Sequence, residues 1–237
     1  MIPWSGVSSS GQNKVDNVLS ENPRSAYQFF KNIDRVISLS DGIFGFAITL
    51  MVLFLTVPEV AKDTATTELP LHLIGEWPTF LIYIISFLII GQWWMGHYRI
   101  FQHIKKVDQT LIWLNFLFLF FITLIPFQTT LIIQYPETPA AVIFYAITQA
   151  FAGIVLVVIW YYASHDQRLS EPDLTQGIVH YNIILLLVRS VVFLLSIGIA
   201  AVNTYIAEVS WIFIGLLLWR LSRWVYRKEL LVSDQIE

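Results

Sequence analysis

The chain has 237 residues, of which 56% are hydrophobic and 13% charged, with a mean hydropathy of +0.65. That balance excludes a soluble domain of this size and defines an integral membrane protein. Cysteine is absent, which excludes disulfides and thiolate metal sites, and the net charge of −3 matters less than where the charges sit.

Residues 1–30 open with the polar, Ser-rich MIPWSGVSSSGQNKVDN. No charged tip leads into an apolar core, so this reads as a tail and not as a signal peptide. A bilayer-crossing helix needs roughly 20 mostly apolar residues. Six stretches qualify, at about 35–57, 78–99, 109–133, 140–163, 178–202 and 207–226. They predict an all-α polytopic membrane domain over 31–228, followed by a short tail at 229–237. Each span must satisfy its own backbone hydrogen bonds, and only a helix does so within one segment.

The charges set the orientation. Lys14, Arg24, Lys31 and Arg35 precede or open the first span, Arg99, Lys105 and Lys106 lie between the second and third, and Arg168 lies between the fourth and fifth. Arg220, Arg223, Arg227 and Lys228 end or follow the sixth. The opposite connections hold Lys62 among Glu59, Asp63, Glu68 and Glu76. Cations mark the cytoplasmic side, so both termini are predicted there. The connections at 58–77 and 164–177 are read as loops, the first acidic and the second polar. Trp77, Trp93, Trp94, Trp113, Trp211, Trp219 and Trp224 read as an interfacial belt. No nucleotide loop or metal-ligand spacing occurs, and His97 and His103 lack a Cys or carboxylate pattern that would suggest zinc. No cofactor, enzymatic activity or nucleic-acid partner is expected.

Polar residues inside apolar spans are costly and mark candidate functional positions. Asp41 and deep-lying Arg189 stand out, with Arg35 and His97 near the inner boundary. Asp41 either accepts hydrogen bonds from Ser or Trp donors on a neighbouring helix, or serves ions or protons. Arg189 is expected to pair with backbone or with an acid of the Asp41 type. At 100° per residue, Leu39, Ile43, Phe46, Leu50, Leu53 and Val57 share a bulky face of the first span. Ser38, Gly42, Gly45, Thr49 and Thr56 form a small, hydroxylated face beside it. The small stripe is either a helix-packing seam or part of a pore wall.

Arg35-Val-Ile-Ser-Leu-Ser-Asp41 resembles the RxxxFSD signature of the transmembrane protein 175 potassium-channel family, with Leu39 in place of Phe. GIFGFAITLMVL after it is similar to that family's first helix, WMGHYRIF (94–101) to its W-x-x-H-x-x-x-F segment, and residues 108–132 to its third helix. Beyond 132 only span count and layout agree. The resemblance implies a potassium channel, modestly selective over sodium, built as a homotetramer whose pore is lined by the first helix of each subunit. It implies that Phe46, Leu50 and Leu53 face the pore as its apolar constriction, with Phe46 at the narrowing position where relatives carry Ile or Leu, and that Thr49 presents a hydroxyl to the ion. It further implies that Arg35, Ser40, Asp41, Trp94, His97 and Asn115 are the network packing the first helix against the second and third. The partners implied are further copies of the chain in the homotetramer, the bilayer of a prokaryotic cell and potassium ions. The alternative is a secondary ion- or proton-coupled transporter. It would want broken helices around a midplane site, and no mid-span proline interrupts these stretches, Pro126 lying toward the outer end of the third.

Overall fold

The computed structural model describes residues 32–213 together with Arg220. Five of its helices are long and apolar enough to cross a membrane. The first, α1 (Ile33–Leu50), starts behind Asn32, whose side chain accepts the Asp34 N–H at 3.0 Å. Asp34 adds an acid to the first turn, where the helix dipole favours one. One 3-10 turn, Met51–Phe54, continues it, and Leu55 then turns extended three residues before Pro58. The helical part of this span therefore ends at 54, short of the expected 57.

Beyond it, α2 (Ala65–Gly75) is a helix where the sequence suggested a loop, and none of its residues is buried. α3 (Trp77–Phe101) follows with Pro78 in its first turn, where a missing N–H costs nothing. The third span is two helices, α4 (Gln109–Thr123) and α5 (Ile125–Gln134), broken at Leu124. Pro126 has no N–H to give the Ile122 carbonyl, and that carbonyl takes the Leu124 N–H instead. A proline thus does interrupt this span, against the sequence expectation. α6 (Pro139–Ser164) and α7 (Gln176–Ala200) are the longest paired helices. Their close approach depends on Gly153, where a Cβ would run into the Ser190 hydroxyl and lie 3.1 Å from the Trp93 ring. Residues 204–213 are helical and begin the sixth predicted stretch; the rest of 207–226, apart from Arg220, lies outside the described residues.

The core is aromatic. Tyr145 stacks on Trp211 with centroids 4.6 Å apart, and Phe193 packs on both. Trp93 and Trp211 are fully buried, so they belong to this core and not to an interfacial belt. Their indole N–H groups explain why burial is tolerated: Trp93 donates to Gln149 Oε1 at 2.7 Å and Trp211 to Ser196 Oγ at 3.0 Å. Trp77, Trp94 and Trp113 are exposed, as a belt requires; Trp219 and Trp224 lie outside the described residues.

At one end of the bundle the α3–α4 and α6–α7 connections dock on each other. The Lys105 and Lys106 N–H groups donate to Leu169 O at 2.8 and 3.1 Å, and Glu171 N–H to His103 O at 3.0 Å. His103 Nδ1 meets Glu171 Oε1 at 2.5 Å, with Lys105 Nζ 3.6 Å from the other oxygen. Asp108 caps α4, accepts the Tyr162 hydroxyl and lies 3.8 Å from Arg168. The connection at 164–177 is therefore fixed, not a loose linker.

Candidate ion pathway and its polar anchor

Helix α1 has two unlike faces. Phe44, Ala47 and Met51 are buried against the bundle. The opposite side carries Leu39, Phe46, Thr49 and Leu53, with Phe46 63% and Leu53 72% exposed. Leu50 and Ile43 sit between and are half-buried. Only 22% of this span is buried within the subunit, against 39–56% for the other four. At Gly42 and Gly45 the small stripe packs on no other described part of the chain, since a Cβ added there would meet nothing within 4 Å. A packing seam inside the subunit is thereby ruled out for those two glycines.

What fixes the rotation of α1 is a chain of side chains behind it. Ser40 is buried and donates to Val36 O at 2.8 Å. Asn115 Nδ2, from α4, donates to Ser40 Oγ at 3.0 Å, and Asn115 Oδ1 lies 2.9 Å from His97 Nε2 on α3. His97 is walled in by Phe101 (3.9 Å between centroids), Phe118 (5.7 Å) and the edge of Phe44 (5.8 Å). One hydrogen-bonded line therefore ties three helices at one depth. A second tie lies nearer the surface, where Trp94 Nε1 donates to Asp41 Oδ1 at 2.8 Å. Of the six residues expected to form this network, the structure joins Ser40, Asn115 and His97 in one group and Asp41 with Trp94 in another. Arg35 lies on the exposed first turn of α1.

On the open face, the Thr49 hydroxyl donates to Gly45 O and Phe46 O, both at 3.0 Å. Its proton is held by the backbone, which leaves oxygen lone pairs turned away from the helix. The outward surface of α1 is thus apolar, with Leu39 and Phe46 exposed, and carries the Thr49 oxygen as an acceptor. No three His, Asp or Glu side chains among the described residues come together as a metal site.

Arg189 departs from expectation. It is buried, its guanidinium lies 4.4 Å over the Trp93 ring, and its Nε and Nη1 have no hydrogen-bond partner among the described residues. Asp41 is not its partner. Gly96 lets the guanidinium lie against α3, where a Cβ would come within 3.1 Å of Nη1. A further buried polar line escapes the sequence reading: Trp93 to Gln149, Gln149 Nε2 to Gln128 Oε1 at 3.3 Å, and Gln128 Nε2 to Thr148 Oγ1 at 2.6 Å. Two glutamines inside apolar spans were the available signal.

A bundle of membrane-crossing helices, with α1 held against it by a polar anchor and its apolar face left open, defines an integral membrane protein. Residues 35–126 match the family described as "Endosomal/lysosomal potassium channel TMEM175". A potassium channel of Chamaesiphon minutus is 35% identical over 57% of this chain and 68% of its own length. A potassium channel of Streptomyces collinus is 27% identical over 71% of this chain and 82% of its own. The human endosomal/lysosomal proton channel TMEM175 is 28% identical, over 60% of this chain but 28% of its own length. The crystal structure of a lysosomal potassium-selective channel TMEM175 homolog from Chamaesiphon minutus superposes with a TM-score of 0.67 at 27% identity, covering 78% of this chain and 97% of that one. The chain belongs to the TMEM175 family.

Proposed function

We propose that this chain is the subunit of a potassium channel, with modest selectivity over sodium, in which four copies of α1 line a central pore. The observation that carries the reading is the burial pattern of α1: its polar anchor and Phe44, Ala47 and Met51 face the subunit, and Phe46, Thr49 and Leu53 face away from it. One such helix per subunit cannot enclose a pore, so several copies must converge, and closed symmetry supplies the axis. The bacterial relatives named as potassium channels have about this chain's length, which supports one channel domain per subunit in a prokaryotic membrane; the six apolar stretches and the cations on their connections support six helices with both termini cytoplasmic.

In this arrangement Phe46, with Leu50 and Leu53, narrows the pore. A ring of apolar side chains excludes water and makes an ion shed hydration with little return. Potassium sheds its water more readily than sodium, and the free lone pairs of Thr49 return part of the loss. That combination discriminates modestly, with no carbonyl-lined filter.

The alternative is an ion- or proton-coupled transporter, and the break at Leu124 is the feature that favours it, since transporters build sites at broken helices. Planar-bilayer recording of the purified protein under a potassium/sodium bi-ionic gradient separates the two. A channel gives unitary currents with a reversal potential shifted toward potassium. Phe46→Ala should raise current and lower selectivity, and Thr49→Val should lower the preference for potassium. Phe46 is exposed within the subunit, so its truncation spares the fold. Unchanged current and selectivity in both variants removes α1 from the pore, and saturable, stoichiometric countertransport replaces the channel by a transporter.

A further inference from the structure

At the end of the bundle that carries the acidic 58–77 segment, a cleft of about 460 Å³ opens between the start of α3, the end of α5 and the 204–213 helix. Its walls are apolar and aromatic, with Trp77, Pro78, Ile82, Ile132, Tyr205 and Val209 among the residues that line it. One lining residue does not fit such walls. Glu208 is 2% exposed, and its Oε1 has no hydrogen-bond partner among the described residues. The pore reading makes no use of it.

A buried carboxyl oxygen left without a donor is costly, and a cationic donor is the group that relieves it best. Among the described residues no lysine or arginine lines the cleft. A second acid, Glu76, sits at the rim between Gly75 and Trp77 and accepts the hydroxyl of lining Thr79 at 2.8 Å. The field at this site is therefore negative, and the space is of the size that takes a small organic ligand. Exposed Trp77 and Tyr205 can face a cation with their rings.

We propose that this cleft binds a single-chain amphiphilic amine, its protonated amino group donating to Glu208 and its alkyl chain lying against Ile82, Ile132 and Val209. The orphan acceptor asks for an N–H, which a quaternary ammonium lacks. It also argues against a zwitterionic phospholipid, because no cation in the cleft would hold the phosphate beside two acids. The site lies away from α1, and its occupancy does not depend on which ion the pore conducts.

The test uses the full-length protein in phosphatidylcholine nanodiscs and 11-bromoundecylamine, whose bromine quenches nearby indoles. The signal from Trp77 is the difference between the wild type and Trp77→Phe. Saturable quenching is expected in the wild type, with affinity about tenfold or more weaker in Glu208→Gln, as for loss of one charge-assisted hydrogen bond. The trimethylammonium analogue and 11-bromoundecanol should show the same weak binding as that variant. Val209→Phe, which fills the cleft and keeps the acid, should abolish the saturable component. Equal affinity of amine and alcohol in the wild type, or wild-type affinity in either cleft variant, would mean simple partition into lipid and would overturn the proposal. Selective displacement of the probe by phosphatidylethanolamine would overturn the assignment to a single-chain amine.

Discussion

Severing the line Ser40–Asn115–His97 tests whether this anchor holds α1 in place. In Asn115→Leu, the His97 ring loses the contact at 2.9 Å and Ser40 loses a donor at 3.0 Å. Ser40 suffers little, since its own proton still goes to Val36 O. His97 suffers more. Three aromatic rings enclose it, it is 1% exposed, and neither water nor a new partner can reach Nε2. Hydrogen bonds inside membrane proteins average about 0.6 kcal/mol because the unfolded state in the membrane also finds partners. In folded Asn115→Leu the His97 Nε2 is left buried with none, so the cost rises toward the ~1–3 kcal/mol of a buried orphaned group. For a chain of this size that is a melting-point drop of about 2–12 °C. The partner variant His97→Phe keeps the stack on Phe101 and orphans Asn115 instead. The double variant replaces both ends by apolar groups and should recover most of the loss, since a half-satisfied network is worse than none. Fluorescence-detected size exclusion after heating reads all four proteins. Strictly additive losses in the double variant, or an unshifted Asn115→Leu, would refute the account.

Asp41→Asn keeps an acceptor for the Trp94 indole and should leave the oligomer intact, whereas Asp41→Leu removes it and should weaken assembly; quantitative cross-linking in mild detergent compares the two. Cross-linking of the wild type should give four subunits, and a monomer or dimer would count against the pore. Glu171 is held below its usual value of 4.5, first by the His103 hydrogen bond, then by the charges of His103 and Lys105. A lowered carboxyl adds stability above its ordinary value and loses it as pH falls through the lowered one. Amide exchange at Lys105, Lys106 and Glu171 should therefore stay slow to below pH 4.5 and quicken under stronger acid, and Glu171→Gln should flatten that dependence.

The number of spans in the described part of the chain, and the two ends of α3, α6 and α7 to within about two residues, follow from hydropathy because the bilayer allows little else. Residues Ser40, Asp41, Trp94, His97 and Asn115 were legible as a set only through the family likeness; periodicity gave each a helix face but no partner. Which face of α1 turns outward was legible only through the same likeness, which put Phe46, Thr49 and Leu53 there; periodicity alone did not decide it. Lipid, pore and neighbouring helices all accept an apolar surface, so Phe44 and Phe46 look equivalent in sequence and differ only once His97 and Phe118 are seen packed on Phe44. Trp93 and Trp211 misled for a related reason. An indole near a span end suits the interface equally well as a core with a glutamine or serine in reach. Helix α2 was hidden by Pro70 and by four acids nearby, which read as loop.

Arg189 is buried at a cost to the fold. A buried cation whose Nε and Nη1 find no acceptor among the described residues has lost its hydration, and the Trp93 face at 4.4 Å returns only part of it. A desolvated cation–π contact contributes about 2 kcal/mol or more, while the effective penalty for taking an ion out of water is several. The balance is unfavourable, so a neutral side chain of similar length should do as well or better. Arg189→Met is expected to melt at or above the wild-type temperature. Arg189→Lys keeps the charge, loses the planar contact with the ring and should melt lower. Trp93→Leu strips the cation of its ring and leaves Gln149 without a donor, and should be the least stable of the three. The order Met, Lys, Leu in thermal scans of the intact oligomer decides the matter. A sharp loss in Arg189→Met would mean that the guanidinium is held by an anion outside the described residues, on a neighbouring subunit or a lipid, and that its burial is an intersubunit device and not a cost the subunit carries alone.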